Sequence, residues 1–285
     1  MQTWVEAARP RTLSAGVTPV LVGTAGADRF IAWRFVAALV VGVSIQIGVN
    51  FANDLFDAQR GVDTNARLGP RRAVASGLVS PQKMKVALGI TIAVAAVAGL
   101  ALALATTLWL LVVGLACFVA LLAYSGGPRP YASAGLGEVF VFVFFGLVAT
   151  IGSAYVQDEA IPEVAVAAAI PVGLLAVAIL VVNNLRDIPT DAAAGKKTLA
   201  VRLGAHRTRR LFTILAVAIL VGVFITSIID DDAWPLLGLL CALPLVRARR
   251  IVDRAQGHDL VPALGATSKA QLVLGIGLAV GLWIS

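Results

Sequence analysis

Val164-Ala-Val-Ala-Ala-Ala-Ile-Pro-Val-Gly-Leu-Leu-Ala-Val-Ala-Ile-Leu-Val-Val-Asn183-Asn184-Leu185-Arg186-Asp187-Ile188-Pro189-Thr190-Asp191 runs from an uncharged apolar stretch straight into amides and carboxylates. The apolar part approaches the roughly 20 residues that a helix needs to cross the hydrocarbon core of a bilayer. Acidic side chains at the edge of such a run are costly and mark function there. The same arrangement occurs 130 residues earlier, where Asn53-Asp-Leu-Phe-Asp57 aligns with Asn183-Asn-Leu-Arg-Asp187.

The whole chain follows this pattern. Of its 285 residues 59% are hydrophobic and 14% charged, with mean hydropathy +0.90, against about 25% charged in an ordinary soluble domain. Nine spans are predicted, at 13–27, 33–56, 86–104, 107–125, 136–156, 164–185, 211–229, 233–247 and 270–285. The runs are continuously apolar, without the alternation of a membrane β-barrel. The expectation is an all-α polytopic membrane protein whose residues 1–285 form a single domain. Arginines near the start, with no small-residue cleavage site after a short apolar core, give no expectation of a cleaved signal peptide. Cys117 and Cys241 fall within spans and read as small core residues, not as a disulfide.

Charge sets the orientation. With the amino terminus in the cytoplasm, every Lys and Arg except Arg29 and Arg34 lies in segments 1–12, 57–85, 126–135, 186–210 and 248–269 or their immediate flanks. The opposite side carries Asp28, Asp158, Glu159, Glu163 and Asp230-Asp231-Asp232. This asymmetry follows the positive-inside rule and puts the site on the cytoplasmic side, with a bacterial cell membrane as the expected location. The net charge of +7 is therefore a matter of topology. The basic residues are dispersed over loops with no recognition module, which excludes nucleic acid as a partner.

Both acidic clusters then face the cytoplasm. Asn50, Asn53, Asp54 and Asp57 stand at i, i+3, i+4 and i+7, one face of a helix, and Gln46 extends the stripe inward. Pro189 is expected to end the second helix near Ile188 and to leave Asp191 on the loop. Carboxylates and amide oxygens suit Mg²⁺, which binds one or two carboxylates while bridging substrate phosphates. Lys and Arg in the following loops, Lys196 above all, supply donors to phosphate oxygens. Arg71, Arg129 and Lys197 are further cationic candidates, and Asn50 and Asn184 are polar ones. Taken singly, one such Asp reads as a helix cap and one such Arg as a topology signal. Two aligned clusters on one face outweigh that reading. Tyr124-Ser-Gly-Gly-Pro-Arg-Pro-Tyr131 is either a turn alone or a turn whose Tyr124, Arg129 and Tyr131 orient an aromatic substrate. Glu138 is either a base or a helix-start carboxylate. His206, His258 and Asp230–Asp232 read as solvated loop residues. Intramembrane acids also mark ion paths, so a transporter is the competing class, although transporter sites tend toward the midplane.

These segments carry a resemblance. The chain resembles, from end to end, the UbiA-type intramembrane aromatic prenyltransferases, in which two Asp-rich motifs bind Mg²⁺ and a polyprenyl diphosphate. The common first motif is N-D-x-x-D-x-x-x-D. Here Asn53-Asp54-x-x-Asp57 matches, Gly61 replaces the last acid, and Asp63 follows. That spacing, with Arg67-Leu-Gly-Pro-Arg-Arg-Ala-Val-Ala-Ser-Gly77, Gly135-Leu-Gly-Glu-Val139 and Gly195-Lys-Lys-Thr-Leu-Ala-Val-Arg-Leu-Gly204, looks like the branch acting on 1,4-dihydroxy-2-naphthoate. Other acceptors in the family, such as 4-hydroxybenzoate, are the rival within it. The resemblance implies nine helices around a central cavity under a cytoplasmic cap of loops. It implies metal ligation by Asn53, Asp54, Asp57, Asp187 and Asp191, with Asp63 direct or through water. The implied reaction releases CO₂ and diphosphate and gives demethylmenaquinol.

Overall fold

The computed structural model describes residues 2–61 and 72–285, and among these every regular element is a helix. The order is α1 (Gln2–Ala8), α2 (Ser14–Ala25), α3 (Ala32–Gln59), α4 (Pro81–Ala105), α5 (Trp109–Ser125), α6 (Gly137–Val141), α7 (Ala149–Asp158), α8 (Glu163–Ala193), α9 (Leu199–Asp230), α10 (Ala242–Arg254) and α11 (Val261–Ile284). A π-helical stretch, Phe142–Val148, joins α6 to α7 as one continuous span. Among the described residues six helices are long and apolar enough to cross a membrane: α3, α4, Gly137–Asp158, α8, α9 and Gly257–Ile284. The protein is an integral membrane protein. The predicted spans at 13–27 and 107–125 fall on helices of 12 and 17 residues. The one at 233–247 falls on a 3₁₀ stretch, Trp234–Cys241, running into α10.

Lipid is no better a solvent for one apolar face than another, so hydropathy does not say which helix is central. Packing decides it. α8 is buried along most of its length, against α9, α11, α2 and the π stretch. α4, α5 and α9 instead expose Val97, Leu104, Leu115, Ile214 and Val217, the apolar outer surface that a bilayer requires. Helices in lipid associate through small residues that let backbones approach. A Cβ on Gly146 would lie 2.6 Å from the Cα of Gly173 in α8, and one on Gly16 would lie 2.5 Å from the carbonyl oxygen of Gly42. On the side opposite the Asp-rich motifs, Arg34 donates to the carbonyls of Ala105 and Val156 and to Glu159. This arginine, an exception to the charge asymmetry, ties together the ends of three helices.

α8 corrects one expectation. It does not end at Ile188 but continues through Pro189 to Ala193, so Asp191 is helical. Proline removes a single N–H and is tolerated in a membrane helix where neighbouring groups satisfy the backbone. Pro189 leaves the Leu185 carbonyl without its helical donor, and in the turn beyond it Thr190 Oγ1 donates to the carbonyl of Asp187. Gly195, at φ 72°, then turns the chain, and the N–H of Lys196 returns to the carbonyl of Asp191 at 2.8 Å.

Gly146→Leu is expected to destabilise the fold by about 3 kcal/mol, the upper range for overpacking, read as a lowered unfolding temperature in detergent. Gly89→Leu, where a Cβ meets nothing within 4 Å, should leave that temperature unchanged.

Candidate active site

The polar stripe of α3 is buried and divides into two uses. Its deeper part holds the amino-terminal segment. Gln46 Nε2 donates to Thr12 Oγ1 at 3.2 Å, and Asn50 Nδ2 donates to Thr12 Oγ1 at 3.1 Å and to the carbonyl of Ala8 at 2.8 Å. Between these anchors Arg9 takes a left-handed conformation, φ 52° and ψ 74°. A non-glycine residue holds that conformation only where its surroundings enforce it.

The outer part of the stripe meets cations and loops. Asp57, 2% exposed, accepts from Lys196 Nζ at 2.8 Å and from Arg60 at 3.1 Å, with Arg72 at 3.6 Å. Asp54 takes the backbone N–H groups of Ala73 and Val74, one on each carboxylate oxygen, at 2.9 and 3.0 Å. It thereby fixes the stretch that starts with Arg72. Asn53 Oδ1 accepts from Ser125 Oγ at the end of α5.

From α8, Asp187 receives both Nε and Nη2 of Arg186, at 2.7 and 2.6 Å. The same Nη2 reaches Asn183 Oδ1 at 2.7 Å. Asn184 Nδ2 donates to Glu138 Oε1 at 3.0 Å.

These side chains close a small polar recess of about 40 Å³, lined by Asn53, Asp57, Asn183, Asn184, Asp187 and Asp191 together with Arg9, Arg72 and Lys196. Beneath it lies a cavity of about 750 Å³ between α2, α3, α4, α5, the Gly137–Asp158 span and α8. Arg9, Asn53, Arg72, Tyr124 and Asn183 line both, so they form the junction. Aromatic rings flank it. Tyr124 meets Tyr131 edge-on at 5.3 Å between centroids, Tyr131 stacks on Phe140 at 3.9 Å, and Phe144 continues the row at 6.1 Å. The Tyr131 hydroxyl donates to the carbonyl of Ala120 at 2.8 Å. Burial pushes its phenol further above the ordinary tyrosine range, so it remains a neutral donor.

The structure thus brings together Asn53, Asp57, Tyr124, Asn184, Asp187, Asp191 and Lys196 in the recess, with Asn50 and Tyr131 on the larger cavity. Asp54 does not line the recess. Arg129 and Lys197 are exposed and line neither space. Asp63 and Arg71 lie outside the described residues. Arg9, Arg72, Arg186 and Ser125 join the site without being among the predicted site residues. In the sequence Arg9 reads only as a topology charge; the adjoining Pro10 and Thr12 are its signal, because they allow a fixed turn.

Among the described residues no three His, Cys, Asp or Glu side chains converge as a metal cluster. The recess nevertheless offers only oxygen ligands, three carboxylates and three amides, interleaved with three cations. A bare anion there meets the carboxylates, and a bare cation meets Lys196 and the arginines. A hard divalent cation bound to a phosphate group satisfies both sets, so the donor chemistry fits such a pair.

Fold and recess together define an intramembrane helical bundle with an acid-and-amide site at the mouth of an apolar cavity. Residues 16–269 match the model of the UbiA prenyltransferase family, and the chain belongs to that family. It is 44% identical over 281 residues (97% of this chain, 95% of the relative) to the 1,4-dihydroxy-2-naphthoate octaprenyltransferase of Mycobacterium tuberculosis. It is 36% identical over 295 residues (100% and 96%) to the Escherichia coli protein of the same name. In fold it is similar to a UbiA homolog from Archaeoglobus fulgidus bound to GPP and Mg²⁺, with TM-score 0.73 and 17% identity over 99% of this chain and 100% of that one.

Thr12→Val removes the acceptor shared by Gln46 and Asn50. The expected outcome is faster amide hydrogen exchange across residues 2–12, a stability loss of about 1–3 kcal/mol, and an intact helix bundle.

Proposed function

We propose that the protein transfers a polyprenyl group from a polyprenyl diphosphate to 1,4-dihydroxy-2-naphthoate, releasing CO₂ and diphosphate and giving demethylmenaquinol. The observation that carries this reading is the junction itself. A recess with equal numbers of acids and bases opens directly onto an aromatic-flanked apolar cavity large enough for a prenyl chain. The names of the relatives supply the acceptor.

Asn53, Asp57, Asp187 and Asp191 would hold a divalent metal, Mg²⁺, with Asp54 and Asp63 included on the family pattern. Such an ion would offset charge on the diphosphate and favour its departure. Lys196, Arg9 and Arg72 face the same oxygens from the protein side. As the allylic C–O bond breaks, negative charge grows on the leaving diphosphate, and these fixed cations stabilise it most in the transition state. Lys196 is held in readiness by Asp57, so contact with the diphosphate exchanges one carboxylate for another anion at little rearrangement.

The faces of Tyr124, Tyr131 and Phe140 stabilise the allylic cation and stack on a bicyclic aromatic acceptor. The apolar walls exclude water, which otherwise traps the cation as an alcohol. The allylic carbon bonds to the ring carbon bearing the carboxylate. The ring-to-carboxylate bond then breaks, and its electron pair returns to the ring as CO₂ leaves. Proton balance requires no external base.

The long prenyl tail has a sideways exit. Leu100, Leu111 and Leu115 line the cavity yet are 45%, 44% and 64% exposed on α4 and α5. The wall there reaches the lipid-facing surface, and a chain longer than the cavity continues into the bilayer. In this reading the chain is one domain with nine spans in the bacterial cell membrane, its amino terminus and recess at the cytoplasmic face, where the basic loops gather.

The test is turnover by purified protein with Mg²⁺, a polyprenyl diphosphate and 1,4-dihydroxy-2-naphthoate, with product mass and CO₂ recorded. Asp57→Asn and Asp187→Asn are expected to abolish turnover while membrane insertion stays normal; near-normal product from either one would sink the assignment. Lys196→Gln is expected to lower kcat by about 10²–10³-fold, the usual cost of one transition-state donor. Transfer to 4-hydroxybenzoate but not to the naphthoate refutes the acceptor and leaves the reaction class standing.

A further inference from the structure

Glu138 is a buried carboxylate beside the site that the mechanism above does not use. It lies in the first turn of α6, 7% exposed, and among the described residues its Oε2 has no hydrogen-bond partner. Its other oxygen accepts from Asn184 Nδ2 at 3.0 Å. The approach of α6 to α8 is close: a Cβ on Gly137 would be 3.4 Å from Leu180 Cδ2, one turn before Asn184. The span continues into the π-helical stretch Phe142–Val148, a distortion that often accompanies functional sites.

A half-satisfied buried carboxylate is costly, and a glutamine of the same shape would be cheaper. The two differ in one respect that matters here. An ionised carboxylate only accepts hydrogen bonds, whereas a carboxamide both donates and accepts. Opposite Glu138, Asn184 presents its amine. Its Oδ1 is then left for the recess, where Asn184 stands beside Asp187 and Asp191. No protein donor claims that oxygen among the described residues. The neighbouring amide is used the other way round, since Asn183 gives its Oδ1 to Arg186. Adjacent asparagines thus present opposite poles, and Glu138 sets the pole of the second.

We infer that Glu138 is a positioning residue that locks the Asn184 amide with its oxygen toward the metal-diphosphate recess. The inference rests on the proposed reading of that recess. Partners one step removed from the ligands typically tune metal affinity by 10–100-fold.

The experiment measures Mn²⁺ affinity by electron paramagnetic resonance on full-length protein in detergent, in the presence of an unreactive geranyl thiolodiphosphate. Glu138→Gln frees the Asn184 amide to flip and is expected to weaken Mn²⁺ binding by about tenfold or more. Its unfolding temperature should not fall, because the substitution removes a buried, half-paired charge. The double variant E138Q/N184D restores the geometry with donor and acceptor exchanged, since the introduced carboxamide then donates to a carboxylate that keeps an oxygen on the recess. It is expected to recover affinity to within about threefold of the parent, the non-additive behaviour of directly coupled neighbours. Unchanged Mn²⁺ affinity in E138Q overturns the inference. So does a double variant as weak as the single one, or a loss of affinity that follows a fall in unfolding temperature. Failure of the parent protein to bind Mn²⁺ with the thiolodiphosphate is a different result, and it overturns the reading of the recess itself.

Discussion

The bond between Asp57 and Lys196 joins groups 139 residues apart in sequence, and the organisation of the site depends on it. A carboxylate 2% exposed at the end of a membrane helix has no stable existence without compensating charge. Lys196 reaches it because α8 runs past Pro189 and the chain turns at Gly195. That turn brings Lys196 to the end of α3, and the polar recess lies between the two motif-bearing segments. The two Asp-rich segments are therefore held facing each other by the charge they must neutralise.

The same constraint organises the layers around it. Lipid provides no partners for amides, so Gln46 and Asn50 turn inward and take Thr12 and the Ala8 carbonyl. In doing so they fix the amino-terminal segment across the mouth of the cavity and hold Arg9 in its left-handed turn. Asp54 does the equivalent for the stretch that begins at Arg72, through two backbone N–H groups. Both arginines reach the junction because buried polar groups of α3 hold the segments that carry them: Gln46 and Asn50 as donors beside Arg9, and Asp54 as the acceptor beside Arg72. The polar residues of one helix thus serve partly as ligands and partly as the scaffold that positions ligands from other segments.

Below the recess the requirements reverse. The cavity is walled by aliphatic side chains and small residues, with Tyr131, Phe140 and Phe144 stacked along one side. A reaction that separates a highly charged leaving group from a carbocation needs two unlike environments a few ångströms apart. The junction supplies them, with Tyr124 lining both. Helix contacts such as Gly146 against Gly173 hold the walls at fixed spacing without any hydrophobic drive between helices.

The sequence by itself determined the class of structure. Uncharged runs of membrane length, a one-sided distribution of Lys and Arg, and two matching Asn/Asp clusters define an all-helical membrane protein with an oxygen-rich site at one face. It also singled out Asp57, Asp187, Asp191 and Lys196, which the fold gathers in one recess, because charge beside lipid is costly enough to stand out. What only the tertiary structure decided is how those charges are shared. Spacing along α3 gives Asp54 and Asp57 the same face, yet one binds backbone and the other binds cations. Proline statistics end α8 early, whereas its surroundings carry it on to Ala193. Arg9 and Arg72 look like the other topology charges until the fold brings them to the junction, and Glu138 looks like a helix start until Asn184 lies beside it. Periodicity reports which side of a helix is polar. Which partner meets that side is a contact between distant segments, and only the packed bundle specifies it.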